Sequence, residues 1–167
     1  MIDVNFRKRK RAVGLRWRLD ETYIKVKGKW CYLYWAVDKD GKTIDFLLTH
    51  RRKKRAAHRF LTKAITQNGI SELINIDKSG SNKEAIRVYN KRKLTKIKFR
   101  QCKYLNNIIE QQDHRFIKWR ICNGLGYKSF KSASVTLSGI ETVRMIKKNQ
   151  LNDPGRTPFN SFYSLAC

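Results

Sequence analysis

Three carboxylates, Asp20, Asp77 and Glu110, stand out by their positions in a strongly basic sequence. Asp20 lies inside residues 17–26, an apolar and aromatic run whose alternation is typical of a β-strand. Asp77 directly follows residues 73–76, a short apolar run that also predicts a strand. A charge taken out of water is costly unless it is paired or binds a cation. We therefore expect Asp20 to pair with a cation, unless the strand is an edge strand whose acid reaches solvent.

A shared site for the three acids would suit phosphodiester chemistry. In a mixed sheet a crossover places a later strand beside the first, so Asp20 and Asp77 could meet at neighbouring strands. Carboxylates drawn together repel one another, and divalent magnesium or manganese relieves that repulsion. Two such ions can activate a hydroxyl and stabilise a leaving oxygen. Spacing alone leaves open that these acids are ordinary strand and helix residues.

Other acids have simpler explanations. Asp38 and Asp40 have the composition and position of turn residues between two strands. Asp45 is expected at a solvent-facing position of a half-buried strand, and Glu21 should point away from Asp20 because side chains alternate along a strand.

The elements that would position the acids form an α/β pattern. The sequence predicts a three-stranded antiparallel meander joined by turns at 27–29 and 38–41. A helix over 54–68, with Gly69 as its C-cap, then leads to the strand before Asp77. The strands of the meander are predicted over 17–26, 30–37 and 43–48.

Beyond Asp77 the pattern is more basic. A short helix is predicted over 83–91, and a strand within 93–103. A helix starting near Leu105 and running to Ile121 would carry Glu110, and an amphipathic helix is predicted over 132–148. Residues 1–16 are expected to be a basic disordered arm, 17–150 a catalytic core with its C-terminal helix, and 151–167 an irregular tail.

Composition favours a polyanionic partner. The chain has 167 residues and a net charge of +25, from 38 Lys and Arg against 13 Asp and Glu. Each cation placed on a phosphate releases condensed counterions, which favours nucleic acid binding. No run is long enough to span a membrane. The four cysteines are far apart, which argues against a zinc site and predicts free thiols in a cytoplasmic protein.

Many ordered positions resemble the catalytic domain of bacterial DDE transposases of the insertion sequence 6 family. The resemblance covers residues 17–150. Its densest stretch is residues 17–26, Trp-Arg-Leu-Asp-Glu-Thr-Tyr-Ile-Lys-Val, and it continues through Asp77-Lys78 and residues 103–107 to Glu110. So many matches in order are more specific than any single motif.

The resemblance implies a ribonuclease-H-like fold, an integrase-type catalytic core with a mixed five-stranded sheet flanked by helices. It implies that Asp20, Asp77 and Glu110 form the catalytic triad and bind two Mg²⁺ ions, with Mn²⁺ as a substitute. Such enzymes nick transposon ends and join the freed 3′-hydroxyl to target DNA, as a homodimer or larger assembly in the nucleoid. The residues expected to contact phosphates are Lys78, His114, Arg115 and Lys118.

The sequence also departs from the family pattern. Only sixteen residues precede Trp17, where members usually carry a helix-turn-helix, so a truncated copy is expected. Gln111-Gln112 stand where one residue is usual, and an extra residue in a helix rotates all later residues of that helix by about 100 degrees. Trp35 replaces an Arg. Two alternatives therefore stay open: a catalytically inactive basic DNA-binding remnant, or a ribonuclease-H-like nuclease that cuts RNA·DNA hybrids.

Overall fold

The computed structural model describes residues 2–78, 80–102, 115, 117, 119 and 127–166. It divides into two compact units. The larger unit is Val13–Tyr127, and the smaller one joins Met1–Ala12 to Lys128–Cys167.

A five-stranded sheet forms the larger unit, as the sequence predicted. Its order is β3-β2-β1-β4-β5, with the first three strands antiparallel and β4 and β5 parallel to β1. The parallel strands need crossover connections, and helices provide them. The strands are β1 Arg16–Val26, β2 Lys29–Asp38, β3 Thr43–Thr49, β4 Leu73–Ile76 and β5 Lys98–Gln101.

The β1–β2 turn fixes the register of the meander. Lys27 and Gly28 both have positive φ, 49° and 74°, which is the conformation of a two-residue turn matched to strand twist. Val26 accordingly pairs with Lys29, and the register continues without a break to Trp17 opposite Asp38.

Two helices cover one face of the sheet. They are α2, Lys54–Asn68, and α3, Gly80–Lys93. The prediction for α2 was correct, and Gly69 ends it at a φ of 84° with its N–H bonded to the Ile65 carbonyl. α3 begins earlier than its predicted start. The core beneath them includes Trp17, Leu19, Phe60, Leu61, Ile86 and Tyr89.

The predicted helix over 105–121 lies mostly outside the described residues. Arg115, Ile117 and Trp119 are helical; Ile117 is buried and Trp119 is exposed.

The smaller unit differs from the sequence prediction at both ends of the chain. A helix α1, Ile2–Arg9, stands where a disordered arm was expected, and α5, Pro158–Ala166, stands in the expected irregular tail. The physical reason is burial: Phe6 is fully buried against Met145, Ile146, Leu151 and Leu165. Burying an aromatic side chain supplies the free energy that a block of like charges lacks.

The third helix of this unit, α4, spans Phe130–Lys147, close to its predicted bounds. It begins with a capping box, in which the Ser129 hydroxyl accepts the backbone N–H of Ser132 while the Ser132 side chain accepts that of Ser129. Within the described part of the chain, no helix is both long and apolar enough to cross a membrane.

Candidate functional site

Strand pairing makes β1, which carries Asp20, the neighbour of β4, which Asp77 follows. β1 and β4 run parallel, and the last paired positions are Arg18 and Asn75. Asp20 lies two residues further along β1, and Asp77 lies two residues after Asn75, directly after the end of β4. Both side chains are half-buried. Asp77 therefore follows the carboxyl end of β4, where ligands of α/β sheets commonly bind, and Asp20 lies on the neighbouring strand.

Asp20 projects from the face of β1 opposite α2 and α3. Trp17 and Leu19 belong to the core under those helices, so Asp20 alternates to the other face. Thr22 and Ile24 follow it on that face and are buried. The Oδ1 atom of Asp20 also accepts the backbone N–H of Glu21 at 2.9 Å, which orients the carboxylate.

Arg18 shares the face of Asp20, although it belongs to none of the site residues that the sequence predicted. Its Nη1 atom is buried and has no hydrogen-bond partner among the described residues. A buried donor without an acceptor is costly, so an anionic group bound on this face would satisfy it. Its spacing two residues before Asp20 on one strand was the available signal.

Glu21 lies on the other side of β1 and contacts different groups. Its Oε1 atom pairs with Arg52, in the segment between β3 and α2. Burial raises the pKa of Glu21; the Arg52 charge lowers it, and the Asp77 charge raises it. Glu21 is thus close enough to Asp77 to respond to its charge. Alternation correctly separated Glu21 from Asp20, but its proximity to Asp77 was missed.

Tyr34 completes the group around Glu21. It stands opposite Glu21 in the β1–β2 register and is buried. Burial, together with the neighbouring Glu21 carboxylate, raises the pKa of Tyr34 to about 12. Its hydroxyl therefore stays protonated and can donate a hydrogen bond at neutral pH.

The remaining predicted site residues are only partly described. Lys78 follows Asp77 and is exposed, and Arg115 is exposed on a helix. Glu110, His114 and Lys118 lie outside the described residues. Where the structure does describe the chain, no three His, Cys, Asp or Glu side chains gather closely enough to hold one metal ion.

Two other acids have structural roles. Asp38 is buried and accepts backbone N–H groups of Gly14, Asp40 and Lys42, as a turn residue does. The prediction for Asp45 was wrong: it is 2% exposed and forms an ion pair with Lys63 at 2.9 Å. β3 is covered by α2 on that side, so a position expected to face solvent faces the helix.

The carboxylates of Asp20 and Asp77 are hard oxygen donors of the kind that Mg²⁺ and Mn²⁺ prefer. The pair offers too few protein ligands to hold two ions alone. A third acid from another element would complete such a site.

Known proteins match this chain over most of its length. The family model DDE_Tnp_IS240, described as a DDE domain, matches residues 14–150. The transposase for insertion sequence-like element IS431mec of Staphylococcus aureus (strain Mu50) is 41% identical over 147 residues. The S. aureus transposase for insertion sequence element IS257 in transposon Tn4003 is equally similar. Each alignment covers 87% of this chain, which spans only 64% of either relative.

Solved structures agree on the fold. The catalytic core domain of HTLV-2 integrase, in a dimeric complex with magnesium, has a TM-score of 0.58 at 18% identity and covers 92% of this chain and 99% of its own. The catalytic core domain of BIV integrase has a TM-score of 0.58 at 17% identity, and the match covers 90% of this chain and 95% of the BIV chain. The fold is therefore that of ribonuclease-H-like integrase cores. With the family model matched over residues 14–150, the chain belongs to the DDE-domain family of insertion sequence 6 transposases.

Proposed function

We propose that this chain is the catalytic domain of a DNA transposase, which cleaves DNA strands and transfers their ends to target DNA in a metal-dependent reaction. The observation that carries the proposal is the pairing of β1, which carries Asp20, with β4, which Asp77 follows, in a chain of this family. Glu110 is proposed as the third acid of the triad.

The donor set fits the metal that the family implies. Asp20, Asp77 and Glu110 would hold two Mg²⁺ ions, or Mn²⁺ in their place. When bound, such ions activate an attacking hydroxyl and stabilise the leaving oxygen of a phosphodiester. The protein's own contribution would be to hold the carboxylates in place: Asp20 lies on a strand that pairs with β4, and the Glu21 N–H donates a hydrogen bond to its Oδ1 atom.

Basic residues near the acids would hold the DNA backbone. Lys78 is exposed directly after Asp77, and the buried Nη1 of Arg18 lacks an acceptor among the described residues on the face of Asp20. Phosphate oxygens would accept a hydrogen bond from Arg18 Nη1 and pair with the charge of Lys78. Arg115, and by the family likeness His114 and Lys118, would bind neighbouring phosphates. This arrangement positions the scissile bond while leaving the base sequence unread.

Assembly and location follow from the same proposal. Transposon ends and target DNA must be held together, so we expect a homodimer or larger complex on DNA. An integrase core with this fold was solved in dimeric and trimeric forms. The site of action would be the bacterial nucleoid in the cytoplasm.

Strand transfer on pre-cut transposon ends tests the proposal. Asp20→Asn, Asp77→Asn and Glu110→Gln should each lower the Mg²⁺-dependent rate by more than about 100-fold, because even outer-shell partners of metal sites cost 10–100-fold. Asp40→Asn is the matched control, since Asp40 is an exposed turn acid. Its rate should equal that of the unmodified chain.

Two results would favour other functions. Cleavage of an RNA·DNA hybrid, without cleavage or strand transfer on the matched DNA duplex, would identify a hybrid nuclease. DNA binding with no divalent-ion-dependent reaction on any substrate would leave a binding domain without catalysis.

A further inference from the structure

A basic cleft lies between α2 and α3. Its volume is about 780 Å³, and its walls come from the end of β3, the segment leading into α2, the first turns of α2, and α3. Neither Asp20 nor Asp77 lines it. Because α2 and α3 pack on the face of Trp17 and Leu19, the cleft lies on the side of the sheet away from the Asp20 carboxylate. Its six basic residues are Arg51, Lys53, Lys54, Arg55, Arg59 and Arg92.

The charge of this basic cleft is not balanced by the described residues. Among the described residues that line it, Glu84 is the one carboxylate, against six cations. In the whole chain the ratio of Lys and Arg to Asp and Glu is 38 to 13. The ratio of cations to carboxylates in the cleft is therefore about twice that of the whole chain. None of the six basic residues forms an ion pair with another described residue. Like charges gathered in a concave surface raise its positive potential and concentrate anions there.

The start of α2 adds to the positive potential. Its N-cap, Lys53, makes no side-chain capping bond, and no acid occupies its first turn. The free N–H groups of a helix start carry partial positive charge and bind anions. His58 also lines the basic cleft, and its Nε2 atom is buried without a hydrogen-bond partner in the described part of the chain. An anion seated here would meet charge, backbone donors and an unused imidazole nitrogen.

We propose that the basic cleft binds the phosphate backbone of a DNA duplex, as a second DNA-binding surface separate from the acid pair. The proposal rests on the transposase function only for the choice of duplex DNA as the polyanion. From Lys54 to Arg59 the cations extend about 7.5 Å along the helix axis, at 1.5 Å per residue. One DNA strand carries a phosphate about every 3.4 Å along its axis. The row thus spans more than one phosphate, which favours a polymer over a single phosphate group.

The test measures binding to a labelled duplex of arbitrary sequence in EDTA, where no metal-dependent chemistry occurs. The double variant Lys54→Gln plus Arg59→Gln should bind at least about fivefold more weakly at 0.1 M salt. The slope of log K against log salt should fall by about 1.8, or 0.9 for each phosphate that is no longer neutralised. Gln keeps the helix propensity of both positions, so α2 should remain folded. Circular dichroism checks this.

Two further variants sharpen the result. Lys29→Gln plus Lys39→Gln removes the same charge from two exposed positions outside the basic cleft, at the start of β2 and in the turn after it, and should weaken binding by less than about twofold because those charges are screened. Glu84→Gln removes the one lining carboxylate and should strengthen binding.

Three outcomes would overturn the proposal: equal losses in the two double variants, no gain with Glu84→Gln, or a loss seen for heparin or RNA but not for duplex DNA. Failure of the transposase function would show differently: Asp20→Asn would then leave strand transfer unchanged, while the binding losses of the cleft variants in EDTA would remain.

Discussion

The acid pair and the basic cleft are built in different ways, although one sheet supports both. Asp20 and Asp77 are half-buried; Asp20 lies on β1 and Asp77 directly after β4, and backbone pairing holds these two strands together. The six cations of the basic cleft are exposed side chains on helix turns and a connecting segment. Metal ligands need fixed geometry, whereas phosphate contacts through long flexible side chains tolerate movement. Single substitutions of the acids should therefore cause large losses of strand transfer. Single substitutions in the cleft should cause small losses of DNA affinity, each in proportion to the charge removed.

The largest expected effect separates the two surfaces directly. Asp77→Asn should reduce strand transfer by more than about 100-fold, because it removes a proposed direct metal ligand and even outer-shell partners of metal sites cost 10–100-fold. It should leave DNA affinity in EDTA unchanged or slightly increased, because a negative charge is removed. A filter-binding assay beside a strand-transfer assay measures both. A variant that lost affinity and activity in equal proportion would contradict the separation.

A smaller effect is expected for the ion pair between Arg52 and Glu21. Arg52→Ala leaves the Glu21 carboxylate, whose side chain is 9% exposed, without its cation. The free energy of unfolding should fall by about 1–3 kcal/mol, the cost of an unsatisfied buried group. Urea denaturation measures the change.

The matching control for that pair is Glu21→Gln combined with Arg52→Ala. Removing the charge as well should recover most of the stability, because no buried ion remains. If the two substitutions were additive in a double-mutant cycle, the Glu21–Arg52 pair would not be stabilising the fold.

In the cleft, the expected loss in the salt dependence of DNA binding increases with the number of charges removed. Arg92→Gln alone should remove about 0.9 from the salt slope of DNA binding, half of the effect expected for Lys54→Gln plus Arg59→Gln. Titrations at three salt concentrations determine the slope. An unchanged slope would place Arg92 outside the DNA-binding surface and restrict that surface to the α2 wall.

The smallest effect is on pH dependence. Burial, followed by the Arg92 charge, lowers the pKa of His58 from its ordinary 6.5. The unfolded chain therefore binds this proton at a higher pH than the folded chain does, so stability is lost as pH falls below 6.5. Arg92, together with the other cations of the basic cleft, disfavours the charged imidazole, and Glu84 favours it.

His58→Gln should remove that part of the pH dependence. Between pH 7.5 and 5.5 the variant should lose less free energy of unfolding than the unmodified chain. Urea denaturation at four pH values measures the difference. Parallel curves would show that His58 does not contribute.

Local signals in the sequence were sufficient for most of the sheet and for α2. The alternation over 17–26 and the Lys27-Gly28 turn act between near neighbours, so their structure follows from short-range sterics. The separation of Asp20 from Glu21 on opposite faces of β1 also followed from alternation. The burial of Asp45 did not, because alternation gives the face of a side chain but not which element covers that face.

The sequence by itself determined the meander, the helix α2, the basic character and the family likeness, because each depends on residue type and spacing along the chain. Only the tertiary structure decided that α1 is ordered around Phe6, that Arg52 reaches Glu21, and that six basic residues from separate segments line one cleft. These features join residues far apart in sequence. Their free energy comes from contacts that form only after the chain has folded, so no local pattern records them.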